Sequence, residues 1–167
     1  MNHSFPTRFL TAGQSPFYHN RMNRLPGAIP LFLAALIILS SCNRQPSYPA
    51  PERRGDHVSI DVSRLKEEVP VFYTYRFQDK PISFFLFKLD EKILSFFDAC
   101  VSCYPHRQGY RYDDDGSVTC RHCNIRFPLY KLEKGLGNCY PIKIEGRLEN
   151  GKYLIPVATL EAGADKF

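Results

Sequence analysis

Apolar and polar positions change character twice along the chain. Leu31 to Leu39 form an unbroken apolar run of nine residues, with Arg21 and Arg24 ahead of it and Ser40-Ser41-Cys42 directly behind. A membrane-spanning helix needs roughly 20 apolar residues. The order basic, apolar, small is instead the layout of a signal peptide over residues 1–41, and Met22 is a start that would give it an ordinary length. Residues 42–55 then hold Pro46, Pro49 and Pro51 among polar and charged side chains. Such a stretch has too little apolar mass to fold and predicts an extended tether. The third region, residues 56–167, is long enough for one small domain.

Within that domain the apolar positions follow a period of two. Val69 to Phe77 is rich in β-branched and aromatic residues, stops at Gln78-Asp79-Lys80-Pro81, and is answered by Ile82 to Leu89, which predicts a hairpin. In the second strand Ile82, Phe84 and Leu86 alternate with Phe85, Phe87 and Leu89, so both faces are apolar and the strand belongs in the interior of the domain. Asp90-Glu91-Lys92 turns the chain into Ile93 to Phe97, which leads to Cys100. Further strands are expected at Phe127 to Leu132 and at Pro141 to Leu148, the latter with Ile142, Ile144, Gly146 and Leu148 on one side. Asn150-Gly151 is a strong hairpin turn, and Pro156 in the strand after it suggests an edge or a bulge. Val62 to Glu68 alone hints at a helix, which Val69-Pro70 would end. The fold class is mainly β, a small antiparallel or barrel-like domain.

Four cysteines interrupt this pattern. Cys100 and Cys103, then Cys120 and Cys123, form two CxxC pairs separated by sixteen residues. Each pair presents two soft thiolates from one tight turn, and two facing turns complete a tetrahedral shell, as in rubredoxin-like knuckles. Asn124, after the second pair, tolerates the left-handed backbone such turns need, whereas Tyr104 after the first fits it less well. Cys139 follows after fifteen further residues and is an additional candidate ligand. His106 and His122 are ligands by chemistry, though a histidine in a polar loop is more often simply solvated. Asp98 suits a hydrogen-bonding role, since a soft site prefers sulfur and nitrogen.

Two other readings of the cysteines stand beside the metal site. An oxidising compartment permits a disulfide framework, but residues 56–167 hold five cysteines, which leaves one thiol over. A redox dithiol of the thioredoxin type would require a βαβ pattern, and neither pair has one. Removing residues 1–41 takes three basic residues and no acidic one, lowering the net charge from +5 to +2. That removes the electrostatic case for nucleic-acid binding. Catalytic signatures are absent as well: the chain carries no nucleophile motif and no Gly-rich phosphate loop.

Leu39-Ser40-Ser41-Cys42 resembles the lipobox of bacterial lipoproteins, which implies lipidation of Cys42 and attachment to a membrane of the cell envelope. Phe97 to Cys103, Gly109-Tyr110, Val118 to Cys123, Phe127 and Gly137 to Pro141, in that order, resemble the FtrD-like family of membrane-associated, iron–sulfur containing proteins. The resemblance covers about residues 70–158. It implies iron or an iron–sulfur cluster and a partner in electron transfer or iron uptake at the envelope. Where the family has Gly after each CxxC and a Gly-Gly-Cys-Asn-Pro signature, this chain has Tyr104, Asn124, Asn138 and Tyr140. A looser similarity is to Rieske domains, whose aromatic strand, Gly turn and Pro-led strand match Phe127, Gly135 and Pro141. The alternative function is a structural Zn site in a non-catalytic interaction module.

Overall fold

The computed structural model describes residues 45–134 and 139–167. Cys42, the residues expected to form the signal peptide, and Gly135, Gly137 and Asn138 lie outside that range.

Eleven strands in the described residues form three antiparallel sheets. The central sheet has the order β3-β4-β5-β9, from Val71–Phe77, Lys80–Leu89, Lys92–Cys100 and Pro141–Ile144. β3 and β4 are the expected hairpin, with Phe77 opposite Lys80. Gln78 and Asp79 both take positive φ, 47° and 65°, the conformation a two-residue turn demands. On one face of this sheet lies β1-β2-β11-β10, from Glu52–Arg54, His57–Asp61, Lys152–Pro156 and Arg147–Glu149. On the other lies the short meander β6-β7-β8, from Tyr110–Tyr112, Ser117–Cys120 and Arg126–Pro128.

The alternation in β4 produces this layering. Ile82, Phe84 and Leu86 enter one apolar core with Val58, Ile60, Tyr153 and Ile155, whereas Phe85 and Phe87 enter a second with Tyr110, Val118, Phe127 and the cysteines. All five are fully buried. The sheets do not close into a barrel; a sheet covered on both faces needs no closure to hide its apolar sides.

Several local expectations give way to tertiary bonding. Val62 to Glu68 is a chain of turns, not a helix: Asp61 Oδ1 accepts from the Ser63 N–H at 2.9 Å, and the Glu68 N–H donates to the Lys88 carbonyl at 2.9 Å. The second bond takes an N–H that a helical ladder would need. The expected strand at Phe127 to Leu132 stops at Pro128 and continues as a 3₁₀ segment, Leu129–Lys134, which buries Leu129 and Leu132. Pro141 to Leu148 splits between two sheets, and Leu148 stays exposed on β10. Gly146 is at the crossing, where a β-carbon would lie 2.6 Å from the Tyr153 ring. Pro156 occupies the last position of β11, an interior strand, and leads into helix α1, Val157–Ala162, which the pattern did not reveal.

The segment read as a tether docks on the domain from Gln45 onward. The Tyr48 ring stacks on Phe72 with centroids 4.9 Å apart, and the Tyr48 N–H donates to Thr74 Oγ1 at 2.9 Å. Glu52–Arg54 then pairs with β2.

Candidate metal centre

Three strand ends deliver the thiols to one place. Cys100 is the last residue of β5, and Cys103 leads into a 3₁₀ turn, Tyr104–His106, that closes with Arg107 at φ 51°. The awkward fit at Tyr104 is thus resolved by moving the left-handed residue three positions along. Cys120 is the last residue of β7. The Asn124 N–H donates to the Cys120 carbonyl at 2.9 Å and Asn124 adopts φ 58°, as its position in the knuckle suggested. Cys139 arrives from β9: Pro141 pairs with Cys100, and the Val101 N–H donates to the Tyr140 carbonyl at 3.0 Å.

The knuckles are tied to each other as well. The Arg121 N–H donates to the Gly109 carbonyl at 2.9 Å, and Tyr110 pairs with Cys120. His106 and His122, one from each knuckle, stack with centroids 3.5 Å apart and planes 9° from parallel. Both rings are exposed.

The five cysteines among the described residues are free thiols. The sulfurs of Cys100, Cys103, Cys120 and Cys139 lie within 4.8 Å of one another. Cys139 Sγ is 2.9 Å from Cys100 Sγ, 4.0 Å from Cys103 Sγ and 3.0 Å from Cys123 Sγ, so Cys123 joins the group through it. The fifth thiol, which spacing left as an extra, is central to the cluster.

Protonation is shared unevenly among them. Burial opposes ionisation of Cys100, yet bonds from the Cys139 thiol and from the Ser102 and Cys103 N–H groups hold its pKa below the ordinary thiol value. Cys123 is lowered in the same way, against burial, by Cys139 and the Ile125 N–H. Burial and hydrogen bonding with Cys100 and Cys123 push Cys139 up. Burial and the neighbouring sulfurs raise Cys103 to about 12. Cys139 thus lies between the two sulfurs whose ionisation its hydrogen bonds favour, and a cation bound there would take the place of thiol protons.

A buried carboxylate braces the first knuckle. Asp98 is 1% exposed; its Oδ1 accepts from the Tyr110 N–H at 2.6 Å, and its Oδ2 accepts from Gln45 Nε2 at 2.6 Å. Burial pushes its pKa up to about 6, against the pull of those bonds and of Arg121. Asp98 is therefore the hydrogen-bonding residue its chemistry suggested, and Gln45 is a partner that sequence spacing gave no means of finding.

The donor set fits a thiophilic ion. A tetrahedral shell with metal–sulfur bonds of about 2.3 Å has sulfur–sulfur edges of about 3.8 Å, close to the spread observed here. A polynuclear iron–sulfur core, lying between ligands on different irons, would require the same sulfurs to move outward. The Tyr110 hydroxyl is fully buried and faces the Cys100 sulfur, in the same core as Cys100, Cys120 and Cys139. An anionic metal–thiolate group is a natural acceptor for that donor.

The family model described as membrane iron-sulfur containing protein FtrD-like matches residues 65–167. No curated protein matches the chain. Among the described residues no helix is long and apolar enough to cross a membrane.

Proposed function

Because the chain belongs to the FtrD-like family of membrane iron–sulfur containing proteins, we propose that it is an envelope lipoprotein whose cysteines hold iron for electron transfer or iron uptake. The observation that carries this reading is the convergence of five thiols, from β5, β7 and the start of β9, into one group at the edge of the second core. Cys100, Cys103 and Cys120 would hold the ion. The fourth position falls to Cys123 or Cys139, whose sulfurs are 3.0 Å apart. When bound, iron in such a shell supplies a one-electron couple, set low by an all-thiolate environment. The residues of the chain do the rest: the strand ends fix the sulfurs, Asp98 holds the first knuckle to Gly109-Tyr110, and the aromatic core of Phe85, Phe96 and Tyr110 excludes water from one side. Cys42, acylated, would tether the domain to the membrane from outside the cytoplasm.

The test is anaerobic purification followed by elemental analysis, acid-labile sulfide assay, and visible and electron-paramagnetic spectra. Iron at one per chain without labile sulfide, with thiolate-to-iron absorption, is the expected outcome. Iron with stoichiometric sulfide would replace the single ion by a cluster. A colourless protein fully loaded with zinc would overturn the redox reading in favour of a structural Zn module.

A further inference from the structure

The surface around the sulfurs has a composition of its own. Val101, Ile125 and Tyr140 are 37%, 40% and 37% exposed, among the most exposed large apolar side chains in the described residues. Each is bound to the metal centre by its place in the chain. Val101 follows Cys100, Tyr140 follows Cys139, and the two are joined by a backbone hydrogen bond. Ile125 accepts from the Cys120 N–H at 3.0 Å. Each of the three exposed apolar residues thus belongs to a segment that carries a thiol or is bonded to one.

Charge on the same end is predominantly basic; Lys166, beside Cys103 and Arg107, is paired with Asp165 at 3.0 Å. Arg107 and Arg121 are exposed at the knuckles, next to the stacked His106 and His122 rings. Arg121 donates Nε to the Tyr110 carbonyl, and among the described residues neither arginine is paired with a surface carboxylate. The acidic Asp113-Asp114-Asp115 sequence lies at the opposite end of the β6–β7 hairpin, where Asp113 and Asp115 pair with Arg111 and Arg126. Asp98, two residues before Cys100, is buried, and the exposed Asp165 is neutralised by Lys166.

We propose that this end is the docking face for a redox protein whose own centre is ringed by carboxylates. The inference rests on the electron-transfer reading of the metal centre. An apolar patch over the donor excludes water and permits close approach, while a basic rim steers an acidic partner to it. Electron transfer also favours small, transient interfaces, which three apolar side chains and two arginines suit.

The test uses the metal-loaded chain lacking residues 1–42 and two probes, an acidic plant-type ferredoxin and a basic c-type cytochrome. Electron exchange is followed by stopped flow across a salt series, and binding by amide chemical shifts. Expected are exchange with the acidic probe that slows with salt, a loss of about tenfold or more in Arg107→Glu at low salt, and shifts centred on Val101, Ile125 and Tyr140. Val101→Asp, an exposed change on the apolar part, should weaken binding to the acidic probe while leaving the melting temperature unchanged. Shifts at this face without electron exchange would keep the docking face and reject the redox role. Equal rates for both probes, indifferent to salt and to Arg107→Glu, would overturn the proposal. So would shifts at these residues with phosphatidylglycerol vesicles and none with either protein, which would make the face a membrane contact.

Discussion

Gly109 stands at φ +66° where the chain leaves the first knuckle, and a β-carbon there would lie 2.6 Å from both Asp98 carboxylate oxygens and from Gln45 Nε2. Gly109→Ala therefore combines a left-handed backbone penalty of about 1–2 kcal/mol with displacement of a buried hydrogen-bonded carboxylate, worth about 1–3 kcal/mol. Denaturant unfolding should report a loss of roughly 2–5 kcal/mol, and because Asp98 precedes Cys100 by one intervening residue, metal occupancy should fall with it. The sulfurs allow a second test at this scale. Cys123→Ser and Cys139→Ser should each retain most of the bound metal, since either sulfur can complete the shell, whereas the double variant should lose it. A single variant as empty as Cys100→Ser would remove the idea of mutual substitution. The four CxxC positions and Cys139 were all legible from spacing and turn chemistry. The centrality of Cys139 was not, because it depends on the pairing of β9 with the end of β5, a contact between residues about forty positions apart.

At the scale of elements, the hairpin of β3 and β4 was readable because its turn and its alternation agree, and the double-sided β4 announced a covered central sheet. What escaped notice were elements whose reason lies elsewhere in the chain. β1 forms from three exposed residues, Glu52–Arg54, and exists because β2 offers it an edge. The segment ahead of it lies along β3: the Pro49 carbonyl accepts from the Thr74 N–H at 3.1 Å. Proline-rich composition correctly excludes a helix there but cannot say whether the extended chain is free or docked. Gln45 decides the matter, since its amide donates to both the carboxylate and the carbonyl of Asp98. Gln45→Ala should cost about 1–3 kcal/mol by leaving a buried acceptor short of a donor. Gln45→Glu should cost more, because it sets a second carboxylate against the first. Thermal melting of the three proteins in the order wild type, alanine, glutamate would check it; equal melting temperatures would mean that the segment is not an anchor.

At the scale of the whole molecule, the central sheet separates two cores that differ in what holds them. The core facing β2 and β11 contains no cysteine and is built from long registers, with Val58, Ile60, Ile82, Phe84, Leu86, Ile155 and Leu160 buried. The core facing β6, β7 and β8 contains Cys100, Cys120 and Cys139. Its covering sheet has strands of only three, four and three residues. A meander that small is marginal alone, and apart from the Tyr110–Asp98 hydrogen bond and apolar packing its link to β5 and β9 runs through the sulfurs. Metal removal should therefore act regionally, because the binding energy of the ion is folding energy mainly for the layer it pins. Amide exchange after anaerobic chelation should rise first across residues 110–128, with β2, the middle of β4 and β11 still protected and far-ultraviolet circular dichroism little changed. Phe85, packed edge-on against Tyr110 at 6.1 Å, joins the two regions. Phe85→Ala, at a cost of about 3–5 kcal/mol, should extend the loss of protection into β4. If chelation instead removes protection uniformly from all three sheets in one step, the ion holds the entire domain together, and the cysteine-free core lacks the independent stability its packing implies.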